Sequence, residues 1–148
     1  MVMEVSFYQC DEALAKSIAP LLLKILDENK KALIVTTSQM EVKEIDAALW
    51  SFGKNKFIPH ITDSDKDFDF KRQPIIITDK EDNFNGADYI VLTKEVSSNF
   101  LRNFSRVFYF YDVLNVAVAK VLAGKYKNIA SKIQSYGKKD GKWVKIDI

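Results

Sequence analysis

The sequence predicts a three-layer α/β domain, a mostly parallel sheet covered on both faces, with a small C-terminal hairpin. Three observations predict it. Short and almost wholly apolar runs recur at Ala32 to Thr36, Pro74 to Thr78 and Tyr89 to Thr93, and such runs suit strands buried on both faces. Segments of helical periodicity lie between strands, and that alternation places helices over a parallel sheet. The tail differs: from Gln134 to Ile146 aromatic residues alternate with lysines around Asp140-Gly141, a pair that favours a two-residue hairpin turn.

Taken in order, Val5 to Tyr8 has strand composition. Asp11 can cap a helix in which Leu14, Ile18, Leu21, Leu22 and Ile25 share a face. Pro20 lies inside that pattern and predicts a kink, or a helix that effectively begins near it, because a mid-helix proline costs about 3 kcal/mol. Ser38-Gln39-Met40-Glu41 is a capping box opening a second helix, with Val42, Ile45 and Leu49 inward and Trp50 at the end of that face. Phe57-Ile58-Pro59-His60 begins a loop or short strand, and Phe100 and Phe104 fit a short helix. Arg106 to Tyr111 is a further strand. Asp112 can cap a last helix with Val113, Val116, Val121 and Leu122 on or near its core face. Residues 1–148 contain no repeat and no low-complexity stretch and read as one domain.

Composition narrows the function. The chain is 47% apolar and 28% charged with a net charge of +2, which argues against a strongly basic nucleic-acid binder. One cysteine, Cys10, and one histidine, His60, exclude an intramolecular disulfide, a four-cysteine zinc site and a two-histidine metal site. Met1 to Tyr8 lacks the pattern of a signal peptide. The apolar stretch Ile18 to Leu23 is far short of the ~18 residues of a membrane span. The cytoplasm is the expected location.

A doubly wound fold invites a nucleotide, but the link after the first strand is Tyr8-Gln9-Cys10-Asp11. It has no glycine to bring backbone N–H groups to a phosphate, and Asp11 repels one. No cofactor is expected. Cys10 at a strand end could be a nucleophile, but its setting is acidic, so an inert buried thiol is the better reading. His60 could act as a general base; a hydrogen bond that anchors its loop is the better reading. Asp63, Asp65, Asp67 and Asp69 alternate as in a calcium loop but lack its central glycine, so a solvated acidic loop is expected and no metal.

Charge is unevenly placed. From His60 to Asp88 there are eight acids and four bases, and from Asp112 to Ile148 eight lysines and three acids. Within the basic part, Lys125-Tyr126-Lys127 sets an aromatic between two cations, with Lys120 about a turn before. Such a patch can grip a nucleic-acid backbone or hold an acidic peptide with an apolar end.

Several stretches, in order, resemble the chi subunit of bacterial DNA polymerase III. They are Phe7-Tyr8, Asp46-Ala47-Ala48-Leu49-Trp50, Phe57-Ile58-Pro59-His60, Pro74-Ile75-Ile76, Leu92-Thr93, Ser98-Asn99-Phe100, Phe104-Ser105-Arg106-Val107, Lys125-Tyr126-Lys127 and Trp143. The series covers about residues 4 to 145, and the helix end followed by Phe-Ile-Pro-His is its most specific part. The resemblance implies a Rossmann-like fold without a nucleotide site and an accessory subunit without catalysis of its own. It also implies binding to the acidic C-terminal tail of single-stranded DNA-binding protein and to a psi subunit, and through psi to the clamp loader. Lys125, Tyr126 and Lys127 map onto the tail-binding segment, and Lys120 joins them by helical spacing. Two departures stand out: Ala123 and Gly124 replace arginines usual in the family, and the acidic Ile61-Thr62-Asp63-Ser64-Asp65 replaces a glycine-containing stretch.

Three functions compete at this level. A replication-linking binding module predicts a salt-sensitive peptide complex. A direct single-strand binder on the basic C-terminal face predicts affinity for nucleic acid without any partner. A small enzyme predicts activity lost on Cys10→Ser or His60→Ala.

Overall fold

A computed structural model describes residues 3–53 and 56–148. Met1 and Val2, the start of the stretch read for a leader, lie outside the described residues. The strands are β1 (Glu4–Cys10), β2 (Ala32–Val35), β3 (Ile61–Thr62), β4 (Ile75–Thr78), β5 (Tyr89–Leu92), β6 (Arg106–Asp112), β7 (Lys132–Lys139) and β8 (Lys142–Lys145). The helices are α1 (Leu14–Asp27), α2 (Gln39–Trp50), α3 (Ser98–Leu101) and α4 (Val116–Tyr126). All eight strands form one sheet in the order β3-β4-β2-β5-β6-β1-β7-β8. Every neighbouring pair is parallel except β7 and β8.

The central strands β2, β4 and β5 are buried at every position, as expected for strands covered on both faces. Two apolar layers flank them. One joins Val5, Phe7, Val107 and Tyr109 to Ala119, Leu122, Ala123 and Tyr126 of α4. The other joins Ile34, Phe108 and Phe110 to Ile18, Leu22 and Ile25 of α1 and Val42, Ile45 and Leu49 of α2. The three-layer fold predicted from the alternation is therefore present. The hairpin is less separate than expected: β7 begins at Lys132, pairs in parallel with β1, and so extends the main sheet. Asp140 and Gly141 both have positive φ, 52° and 76°, the two-residue hairpin turn that their side chains favour.

Local expectations fare unevenly. Ser38 caps α2 by accepting from the Glu41 N–H at 3.3 Å, and Glu41 in return accepts from the Thr37 N–H. Asp11 does not cap α1; the cap position is Ala13, which makes no side-chain bond there. α1 starts well before Pro20 because Ser17, Ile18 and Ala19 are buried against the sheet, and this packing outweighs one missing hydrogen bond. Pro20 itself is exposed. Asp112 caps a 3₁₀ turn, Val113–Asn115, rather than α4 directly. α3 ends before Phe104, although the Phe100 and Phe104 rings still meet at 5.3 Å.

Candidate partner-binding site

The candidate site lies on α4, whose inward residues are Ala119, Leu122, Ala123 and Tyr126. This corrects the sequence reading in two places. Val113 and Val121, expected near the core, are exposed, Val121 by 60%. Tyr126, expected between two lysines at the surface, is only 1% exposed and its ring stacks on Phe7 at 6.2 Å. The reason is periodicity. Residues 119, 122, 123 and 126 share one helical stripe, and burying it points Val118 and Val121 outward. The Tyr126 hydroxyl lies buried beside the Val96 backbone, and burial pushes its pKa well up.

Lys120, Lys125 and Lys127 are all exposed. Lys125 pairs with Glu95 at 3.0 Å, both side chains open to water. Neither Lys120 nor Lys127 makes an ion pair among the described residues. Leu114, 88% exposed, precedes Val118 and Val121 at helical spacing, and Lys125 continues that stripe. An apolar stripe ending in lysines can hold a chain that is apolar at one end and acidic along its length. No pattern rule located Leu114, since isolated exposed apolar residues are common.

The strand ends, where α/β proteins usually bind ligands, are acidic here. Gln39 donates to Asp79 at 2.7 Å and to Asp63 at 3.3 Å, and Thr78 donates to Asp63 at 2.7 Å. Lys80 pairs with Asp63 at 3.1 Å. Asp63 is thus a structural acid with its side chain almost fully buried, not part of a solvated loop. Asp65 holds the Thr62 N–H at 2.8 Å and Asp69 caps the 3₁₀ turn Phe70–Arg72. Carboxylates so placed repel a phosphate. Among the described residues no acid, histidine or cysteine group could hold a metal ion.

The two candidate reactive groups occupy ordinary structural places. Cys10 is buried and its thiol donates to the Tyr8 carbonyl at 3.7 Å. Burial pushes its pKa up, away from the thiolate a nucleophile needs. His60 is buried, with Nδ1 2.6 Å from the Ile58 carbonyl and Nε2 2.9 Å from Asp46. It ties the loop to α2. Trp50, expected to face inward at the end of α2, is instead 59% exposed and lies over His60 at 4.8 Å and beside Phe57 at 5.7 Å. Among the described residues no helix is long and apolar enough to cross a membrane.

Fold and surface together define an α/β domain with an acidic strand edge and an exposed apolar, lysine-bordered helix. The family model for the DNA polymerase III chi subunit matches residues 2–131, and the chain belongs to that family, which carries an accessory role in DNA replication. It is also 27% identical, over 95% of its own length and 89% of the relative's, to the probable DNA polymerase III subunit chi of Rickettsia prowazekii.

Proposed function

We propose that this single domain links the DNA polymerase III clamp loader to single-stranded DNA-binding protein by holding the latter's acidic C-terminal tail on α4, in the cytoplasm and without catalysis of its own. The observation that carries this reading is the exposed Leu114, Val118 and Val121 stripe bordered by lysines, on a chain of the chi family. The last apolar side chain of the tail lies on the valines. Lys120, Lys125 and Lys127 meet its terminal carboxylate and acids. Tyr126 serves from beneath, holding the lysine-bearing turn against Phe7. Lys125 must leave Glu95 to engage the tail. A psi subunit, where the organism has one, finds a separate apolar surface in the exposed Trp50 and Phe57.

The test is a titration of a labelled peptide from the tail of the host's single-stranded DNA-binding protein. Binding should weaken at least about tenfold, or 1.4 kcal/mol, in Lys120→Glu with Lys127→Glu, and also when the peptide's terminal carboxylate is amidated. Glu95→Gln should tighten it by freeing Lys125. Binding unmoved by all three changes would sink the α4 site.

A further inference from the structure

The strongest unused feature lies on the other side of the sheet. Strand alternation and the pairings Tyr8↔Tyr136, Tyr136↔Lys145 and Lys138↔Trp143 put Tyr8, Tyr136, Trp143, Lys138 and Lys145 on one face. It is the face that carries Cys10, Phe108, Phe110 and α1, opposite α4. Lys132, in line with Glu4, stands on the same face nearer the start of β7. The helices on this side pack over the central strands, so the β7–β8 edge is only partly covered. Tyr136 and Trp143 are half-buried and Lys132 and Lys145 are exposed.

Between α1 and this edge is a slot of about 220 Å³ lined by Ser17, Pro20, Leu21 and Lys24 of α1 and by Tyr8, Phe110 and Trp143 of the sheet. Its sheet-side wall is aromatic: Trp143 meets Tyr8 edge-on at 5.0 Å, and Tyr8 stacks between Phe110 at 4.8 Å and Tyr136 at 5.2 Å. Ser17, nine-tenths buried or more, sets a hydroxyl beside the Cys10 thiol at the inner end of the slot. The rim is cationic. Lys24, Lys132, Lys138 and Lys145 form no ion pair among the described residues, and the Lys138 ammonium sits 4.6 Å from the Trp143 ring centre.

We infer that this slot and its lysine rim form a second binding site, for a short stretch of single-stranded nucleic acid. One unpaired base enters with its ring against Trp143 and its polar edge towards Ser17 Oγ, while flanking phosphates meet Lys24, Lys138 and Lys145. The chemistry favours this ligand over an acidic peptide. Unstacked bases bind where aromatic rings and cations lie together, and a base edge can hydrogen-bond to the Ser17 hydroxyl. The slot lies on the face of the sheet opposite α4, but Lys127 lines a cavity with Lys132 and Lys145 at the sheet edge, so Lys120 and Lys125 serve as the tail-site controls.

The experiment uses the full chain carrying Trp50→Phe, which leaves Trp143 as the one tryptophan. Oligo-dT and oligo-U are titrated while Trp143 fluorescence and oligonucleotide anisotropy are followed. Quenching of Trp143 is expected, with a log–log salt slope of about −2 for three neutralised phosphates. Lys138→Glu with Lys145→Glu should weaken binding at least about tenfold, whereas Lys120→Glu with Lys125→Glu should leave it unchanged and remove only the tail peptide. Ser17→Ala should weaken binding of the oligonucleotide without altering its salt slope. Oligo-dU against oligo-U, which differ only in the 2′-hydroxyl, assigns the strand as DNA or RNA. The inference is overturned if neither oligonucleotide quenches Trp143. It is also overturned if the α4 variants lose oligonucleotide as fully as the rim variants, or if the tail peptide rather than the oligonucleotide occupies the slot.

Discussion

α2 and α4 are helices of nearly equal length, twelve and eleven residues, and they handle apolar side chains differently. α2 keeps Val42, Ile45 and Leu49 on one side, all buried, with charged residues opposite. α4 is apolar nearly all round, burying Ala119, Leu122, Ala123 and Tyr126 and leaving Val118 and Val121 in water. A helix whose one apolar face is buried has mainly packing to do and offers a partner only its end, as α2 does with Trp50. A helix with two, one of them unpacked and bordered by lysines, has a surface to offer a partner.

The sharpest way to break this comparison is to truncate each face of α4. Tyr126→Ala should cost about 3–5 kcal/mol, the range for emptying a buried aromatic site. Val121→Ala, on the outer face, should stay within about 0.5 kcal/mol. Denaturant midpoints at equal slope measure both, and similar losses would mean that α4 has no free face. A smaller effect is expected in α2: Ser38→Ala removes the cap on Glu41 N–H and should cost about 1 kcal/mol.

Gly124 sharpens the comparison from the opposite direction. A side chain there meets nothing within 4 Å, so Gly124→Arg should raise stability by about 0.5–1 kcal/mol through helix propensity. It should also tighten tail-peptide binding by adding a cation beside Lys125. Unchanged binding would place the tail away from this turn. The smallest effect at neutral pH is that of Tyr126→Phe, which removes one buried hydroxyl beside the Val96 backbone and should change stability by no more than about 0.5 kcal/mol.

That same variant should differ in alkali. Burial pushes Tyr109 up to about 12 and Tyr126 well up, with Glu95 adding to both. The unfolded chain ionises its tyrosines near pH ~10. Above that pH it sheds protons the folded protein keeps, so stability is fully present below pH ~10 and falls as pH rises towards 12. Tyr126→Phe removes one of these groups, and its alkaline fall should be shallower when midpoints are followed against pH.

Tyr126 also marks where sequence reading stops. Its neighbours Lys125 and Lys127 suggested an exposed ring, and only packing against Phe7 reveals a buried one. Trp50 is the reverse case: it ends the apolar face of α2 in sequence but stands beyond the last buried turn, with Phe57. Asp63 looked like one of four alternating surface acids, yet contacts from Gln39, Thr78 and Lys80, distant in sequence, make it part of the core edge.

The sequence alone determined the α/β class, the α2 cap, the Asp140-Gly141 turn and the family, because each rests on neighbouring residues or on an ordered series of local motifs. Tertiary structure decided which of α4's two apolar faces is buried, that β7 pairs with β1, and that Tyr8, Ser17 and Trp143 share a slot. Local spacing cannot encode these features, since they depend on which surfaces the sheet leaves uncovered once every strand has found its place.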